Sequence, residues 1–384
     1  MFRSALLAAQ ALMLCLIGYN AVTALWGWRN REPAVRGSRE RFLRIVIPAH
    51  DEGRVIAGVL GDLARSSYPA DRVDAWVLAD RSTDDTVRIA KDAGVSIAER
   101  LDGSPGKGAA LAWYLERHPL SSGEALVVFD ADNRIGPDVL GRIADELDTG
   151  HQVVQCYLDV ANPDGSLLAE AAALSYWAGN RMVQLARSNL GWSADLGGTG
   201  MAMTDELLDR VGGFGESLTE DQEIGARIVL AGERVEWLHD VKVEDEKPTS
   251  LGVTVQQRAR WMSGKRSARR AHLGDLVRSG RPASLDQALR LVQPGRTFLA
   301  LVSGVLTALA AITGSAWLLP WPVLGVATAI QVLEPIPFLA REGIPLRRLI
   351  RYPFLIVLAA LWLPIRFASR RVDQWYHTPH EGSR

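Results

Sequence analysis

The sequence predicts an α/β domain with a mostly parallel sheet, carried between membrane-spanning helices. Three observations predict it. Over residues 42–250, apolar strand-like runs alternate with helix-spaced stretches, the pattern of βαβ units. Residues 5–28 contain no charged side chain, and about 20 predominantly apolar residues suffice to cross a bilayer. Residues 298–340 are nearly uncharged and are interrupted by LLPWPV, as a helical hairpin would be.

Composition narrows the class. The 384 residues leave room for several structural layers, since a domain takes about 100–200 residues. A formal net charge of −1 gives no reason to expect a nucleic-acid partner. Cys15 and Cys156 are too few and too far apart for a disulfide framework or a zinc cluster.

The N-terminal run, expected as a helix over residues 1–28, is too long for the apolar part of a cleaved signal. Trp26 and Trp28 stand where an interfacial aromatic belt belongs. A basic linker over residues 29–41 includes Arg29, Arg31, Arg36, Arg39 and Arg41, whereas only Arg3 precedes the helix. The positive-inside bias therefore puts the following domain, residues 42–255, in the cytoplasm of a multi-pass cell-membrane protein. A basic amphipathic segment is expected over 256–296, the hairpin over 297–340, and a third membrane-associated segment with a tail over 341–384. Within the last, Pro353 to Phe367 has arginines on both sides, so it reads as a short span, a re-entrant stretch or an interfacial one. WMSGKRSARRAHLGDLVRSGRP reads as a helix against anionic headgroups or as a solvated surface helix.

In the soluble part FLRIVIPA predicts a strand and DEGRVIAGVLGDLARSS the helix after it. AWVLAD and RSTDDTVRIAKDAG repeat that order, with Ser82 or Thr83 as a helix cap, and ALVVFDAD with GPDVLGRIADEL completes it. Ligands of such sheets bind at the carboxyl ends of the strands. His50-Asp51-Glu52, Asp80 and Asp130-Ala131-Asp132 all fall at those ends. Asp130 and Asp132, one residue apart, can share a hard divalent cation and leave positions open for a diphosphate. Lys107, between Gly106 and Gly108 ahead of a helix, suits phosphate contact; it could also be a solvated lysine in a glycine turn. The Walker spacing is absent.

Farther on, Gly197-Gly198-Thr199-Gly200 offers close backbone approach to a sugar or acceptor. Thr219 is positioned as an N-cap, with Glu220 and Asp221 in the first turn. The alternative for Asp221 is a general base taking an acceptor hydroxyl's proton. Gln257-Arg258-Ala259-Arg260-Trp261 supplies a guanidinium suited to a departing diphosphate and a flat face for a sugar ring.

Taken in order, IVIPAHDE, LAD, DAD, TED and QRARW resemble the membrane-bound inverting glycosyltransferases of family 2, the group of the cellulose, hyaluronan, chitin-oligosaccharide and poly-N-acetylglucosamine synthases. The resemblance implies a GT-A fold, a Rossmann-like mixed sheet, and a UDP-sugar donor. It implies that Ala49, Glu52 and Asp80 bind the base and ribose, and that Asp130 and Asp132 hold Mg²⁺ or Mn²⁺ on the diphosphate with Lys107 nearby. Asp221 would be the catalytic base, and Gln257, Arg260 and Trp261 would form the QxxRW motif; Thr199 and Glu220 are expected beside them as substrate-binding residues. A growing polysaccharide or a membrane lipid would be the acceptor, with membrane lipids around it and room for a second copy or export partners. QWYHTPHEG looks like the family's tryptophan–threonine tail, with His377 and His380 departing from it.

Overall fold

The computed structural model describes residues 2–217, 219–355, 358 and 361–369, so the QWYHTPHEG tail lies outside the described residues. Eight strands form one sheet: β1 (Leu43–Ala49), β2 (Val73–Asp80), β3 (Ser96–Arg100), β4 (Ala125–Val128), β5 (Arg134–Ile135), β6 (Val153–Val160), β7 (Met201–Thr204) and β8 (Glu236–Asp245). Their order is β3-β2-β1-β4-β7-β6-β8-β5. The first four are parallel, as the alternation of elements predicts.

Beyond β4 the sheet is mixed. β7 runs antiparallel to both β4 and β6, and β5 antiparallel to β8. The reversal positions the site, because Val128 at the end of β4 pairs with Met201 at the start of β7. The Gly197–Gly200 turn therefore enters the sheet beside the Asp130–Asp132 loop. β8 is parallel to β6, so its last residue, Asp245, reaches the same edge.

The strand runs read as near-continuous apolar stretches because helices cover both faces. Leu43, Ile45, Ile47, Val127 and Phe129 pack on one side with Ile56, Leu60, Ile143 and Leu147. Val46, Leu126 and Val128 pack on the other with Leu111, Tyr114, Leu174 and Trp177. Each such side chain, fully buried, contributes about 1.5–3 kcal/mol.

Three segments are long and apolar enough to cross a membrane: Phe2–Trp28, Arg296–Thr313 and Trp321–Arg341. Met13 and Ile17 of the first pack against Leu299, Leu324 and Ala327 of the other two. At its end, Gly27 lies so close to the 180–185 segment that an added Cβ would sit 2.2 Å from the Arg181 carbonyl oxygen. The Arg181 guanidinium in turn donates to the Gly27 carbonyl oxygen at 3.0 Å and pairs with Glu342, just after the hairpin.

One expected boundary falls inside an element. The division at 255/256 falls inside one 28-residue helix, Leu251–Arg278, whose apolar residues pack on the Glu220–Leu230 helix through Ala226, Val229, Ala268 and Leu276. In the third C-terminal segment the described residues include the helices Leu346–Leu355 and Trp362–Ala368.

Candidate active site

Parallel β1, β2 and β4 deliver their carboxyl ends to one cleft of about 260 Å³. Every singled-out residue lines it: Ala49, Glu52, Asp80, Lys107, Asp130, Asp132, Thr199, Glu220, Asp221, Gln257, Arg260 and Trp261. Ala49 and Asp80 end β1 and β2, and the two loops that follow are knit together. The Asp51 carboxylate accepts from the Thr83 and Asp84 amides at 2.6 and 3.2 Å, and the Gly53 amide donates to Asp84 at 2.9 Å. Asp51 and Arg81 hold left-handed φ values of 57° and 55°, conformations that cost non-glycine residues energy and recur at functional sites. The N-cap of the following Thr86–Asp92 helix is Asp85, not Ser82 or Thr83, and the Asp84 carboxylate accepts from the Thr86 amide at 2.9 Å.

Asp80 is itself ion-paired with Arg81 and Arg100, both at 2.9 Å. Lys107 opens the Lys107–Arg117 helix. Its ammonium pairs with Asp130 and donates to the Gly198 carbonyl oxygen at 2.8 Å. Burial opposes the Lys107 charge, but Asp130 and Glu220 outweigh it and raise its pKa.

The Asp130 amide donates to Asn133 Oδ1 and Thr199 Oγ1, both at 2.9 Å. Gln155 accepts from the Gly197 amide at 2.8 Å and donates to the Thr199 carbonyl oxygen at 2.8 Å. These contacts fix the glycine turn against the aspartate loop. Crowding and removal from bulk water raise Asp132 well above the usual carboxylate range, and Asp130, Asp245 and Glu52 add to it. A divalent cation would relieve that repulsion, so this donor set fits the expected metal. Among the described residues no group of three His, Cys, Asp or Glu stands together as a ready-made metal cage.

Glu220 and Asp221 open the Glu220–Leu230 helix, and a Cβ built at Gly198 would lie 3.6 and 3.7 Å from their carboxylates. Burial raises Glu220, and it raises Asp221 to about 7 with Glu220 adding its repulsion. Thr219 does not cap the helix with its side chain. Its hydroxyl is buried without a partner and faces Gly264, where an added Cβ would sit 2.1 Å from the Thr219 Oγ1. Gly264 lies one turn beyond Arg260, so this contact seats the QRARW helix on the Asp221 loop.

Sequence reasoning missed Gln155, Asn133, Asp245 and Lys247. A glutamine inside the apolar run VVQCYL was the available signal for the first. Asp245 and Lys247 sit in EDEKP, which reads as an ordinary polar loop until β8 is found in the sheet.

A family model described as glycosyltransferase like family 2 matches residues 41–264, more than half of the chain. A β-monoglucosyldiacylglycerol synthase of Nostoc sp. is 28% identical over 253 residues, 62% of this chain and 51% of that protein. A probable glucomannan 4-β-mannosyltransferase of Arabidopsis thaliana is 28% identical over 57% of this chain and 42% of its own length. The chain thus spans about half the length of the curated relatives it matches. A mannosyltransferase from Pyrobaculum calidifontis, solved with GDP-Man and Mn²⁺, shares the fold over 94% of this chain and 98% of its own, with a TM-score of 0.62 and 22% identity.

Proposed function

The chain belongs to glycosyltransferase like family 2, and from that premise we propose that it is a membrane-bound inverting glycosyltransferase. It moves a sugar from a UDP-sugar to an acceptor hydroxyl, with the catalytic domain in the cytoplasm. The observation that carries this reading is the Asp221 carboxylate, raised to about 7, standing across one cleft from Asp130 and Asp132.

Asp130 and Asp132 would hold Mg²⁺ or Mn²⁺, which when bound neutralises the donor diphosphate. Ala49, Glu52 and the Asp80 loop take the base and ribose side. Asp221 accepts the acceptor's hydroxyl proton while that oxygen bonds to the anomeric carbon. The bond from that carbon to the diphosphate oxygen breaks, and the diphosphate leaves with the electron pair. An α-linked donor thereby gives a β-linked product. Lys107 and Arg260 are placed to meet the charge that develops on the leaving group, where fixed cations act most strongly. Gln257 and Trp261 hold the acceptor end.

A growing polysaccharide is one acceptor, favoured by Trp261 lining the cleft. Single addition to a membrane lipid is the other. It is supported by three helices long and apolar enough to cross a membrane and by the diacylglycerol-named relative. Product length separates the two. The test is to incubate the purified full chain with a panel of UDP-sugars and GDP-mannose, with Mn²⁺ and with EDTA. Metal-dependent UDP release from one of the UDP-sugars is expected; absence of release from every donor would overturn the reading.

A further inference from the structure

Two further cavities meet on the membrane side of Asp221. The first, about 280 Å³, reaches from Asp221 and Gln222 past Lys265 to Asn20, near the end of the first apolar helix, and Arg296, at the start of the second. The second, about 250 Å³, is walled by Leu174, Ala178, Leu355 and Ile365 and is mostly apolar. Met182, Val183 and Arg296 line both.

The junction has its own local structure. Asn180–Leu185 is a π-helical turn inside the run that begins at Leu167. Such turns widen a helix at a cost in hydrogen-bond geometry and recur at functional sites. Here the widened turn carries Met182 and Val183, two of the three residues shared by both cavities. The QRARW helix divides the space: Gln257, Arg260 and Trp261 face the donor cleft, while Thr254 and Arg258 face the apolar cavity. Among the described residues Arg258 forms no ion pair with a carboxylate; it lines the apolar cavity, where burial lowers its pKa.

We propose that these cavities together form the acceptor site for a hydroxyl-bearing glycerolipid. Its acyl chain occupies the apolar cavity, its ester oxygens meet Arg258, and its hydroxyl reaches Asp221. The proposal rests on the transfer reaction above: the lipid hydroxyl bonds to the anomeric carbon, its proton goes to Asp221, and the nucleoside diphosphate departs. The paired carboxylates of Glu220 and Asp221 disfavour a lipid phosphate as the attacking group. A phosphate would bring a further negative charge beside them and would need no base.

Ser175 lines the apolar cavity and is exposed within it, so Ser175→Trp fills the space without entering the core. Val305→Trp, on an exposed face of the hairpin, is the control. The full chain in detergent is titrated with dioleoylglycerol and read by native mass spectrometry. Transfer is assayed with vesicles of phosphatidylcholine containing dioleoylglycerol, with vesicles containing a polyprenyl phosphate, and with a soluble oligosaccharide; nucleotide affinity checks that each variant is folded. Dioleoylglycerol binding and its glycosylation should each fall at least tenfold in Ser175→Trp and stay unchanged in Val305→Trp. Retained lipid binding and transfer in Ser175→Trp would overturn the proposal, as would glycosylation of the polyprenyl phosphate or oligosaccharide instead. Should no donor be turned over at all, the transfer reading fails, and the lipid-binding measurement still decides the cavity's role.

Discussion

The Lys107 ammonium is ion-paired with the Asp130 carboxylate, which ties the glycine-flanked helix start to the aspartate loop. Truncating one partner of such a pair leaves the other uncompensated. Lys107→Met should weaken UDP binding about 10–100-fold, or roughly 1.4–2.8 kcal/mol, as measured by calorimetry. Lys107→Arg should recover part of it.

Asp132 is held above the usual carboxylate range by crowding and by Asp130. Asp132→Ala should remove at least about tenfold of the metal-dependent part of UDP affinity, since one of only two or so protein ligands is lost. The same variant in EDTA should melt no lower than the parent, because a repelled carboxylate has been removed. Full activity of the parent in EDTA would count against the metal site.

Asp221 sets a pH dependence. Its value of about 7 in the fold lies above the ordinary 3.8. Its contribution to stability is therefore fully present below about pH 3.8 and is lost as pH rises through about 7. As a base it is competent only when ionised, so kcat/KM should rise with pH along a limb centred near 7. At pH 8 Asp221→Asn should melt higher than the parent, by about 2–4 °C for each kcal/mol of relieved strain.

Gly264 gives the QRARW helix its close seat on Thr219. Gly264→Ala should push Arg260 and Trp261 out of place and lower kcat/KM on the order of 10–100-fold, because small misplacements are costly at a reacting centre. Adding Thr219→Ala removes the contacting Oγ1 and Cγ2 and should restore part of the rate.

Gly27 meets the backbone of Arg181, which cannot yield as a flexible side chain would. Gly27→Ala should therefore destabilise the junction of the N-terminal apolar helix and the domain by about 1–3 kcal/mol, seen as a lower Tm in detergent.

Much of this was legible in the sequence because strand ends and acidic residues coincide there. Asp80, Asp130 and Asp132 follow apolar runs, and a parallel sheet sends all such ends to one edge. The mixed half was not legible. Nothing in MAMT announces that β7 enters antiparallel, so the company of Thr199 and Asp130 appears only in the fold. Thr219 matched the pattern of a cap, yet tertiary packing against Gly264 took its side chain instead. Asp245 stayed hidden because its neighbours are as polar as it is.

The most direct test is single-turnover sugar transfer by Asp221→Asn beside its UDP affinity. Loss of transfer by about 10²–10⁴-fold, the usual worth of a positioned base, with UDP affinity within about twofold of the parent, is the expected result. Transfer at the parent's rate by Asp221→Asn would contradict the assignment of Asp221 as the base.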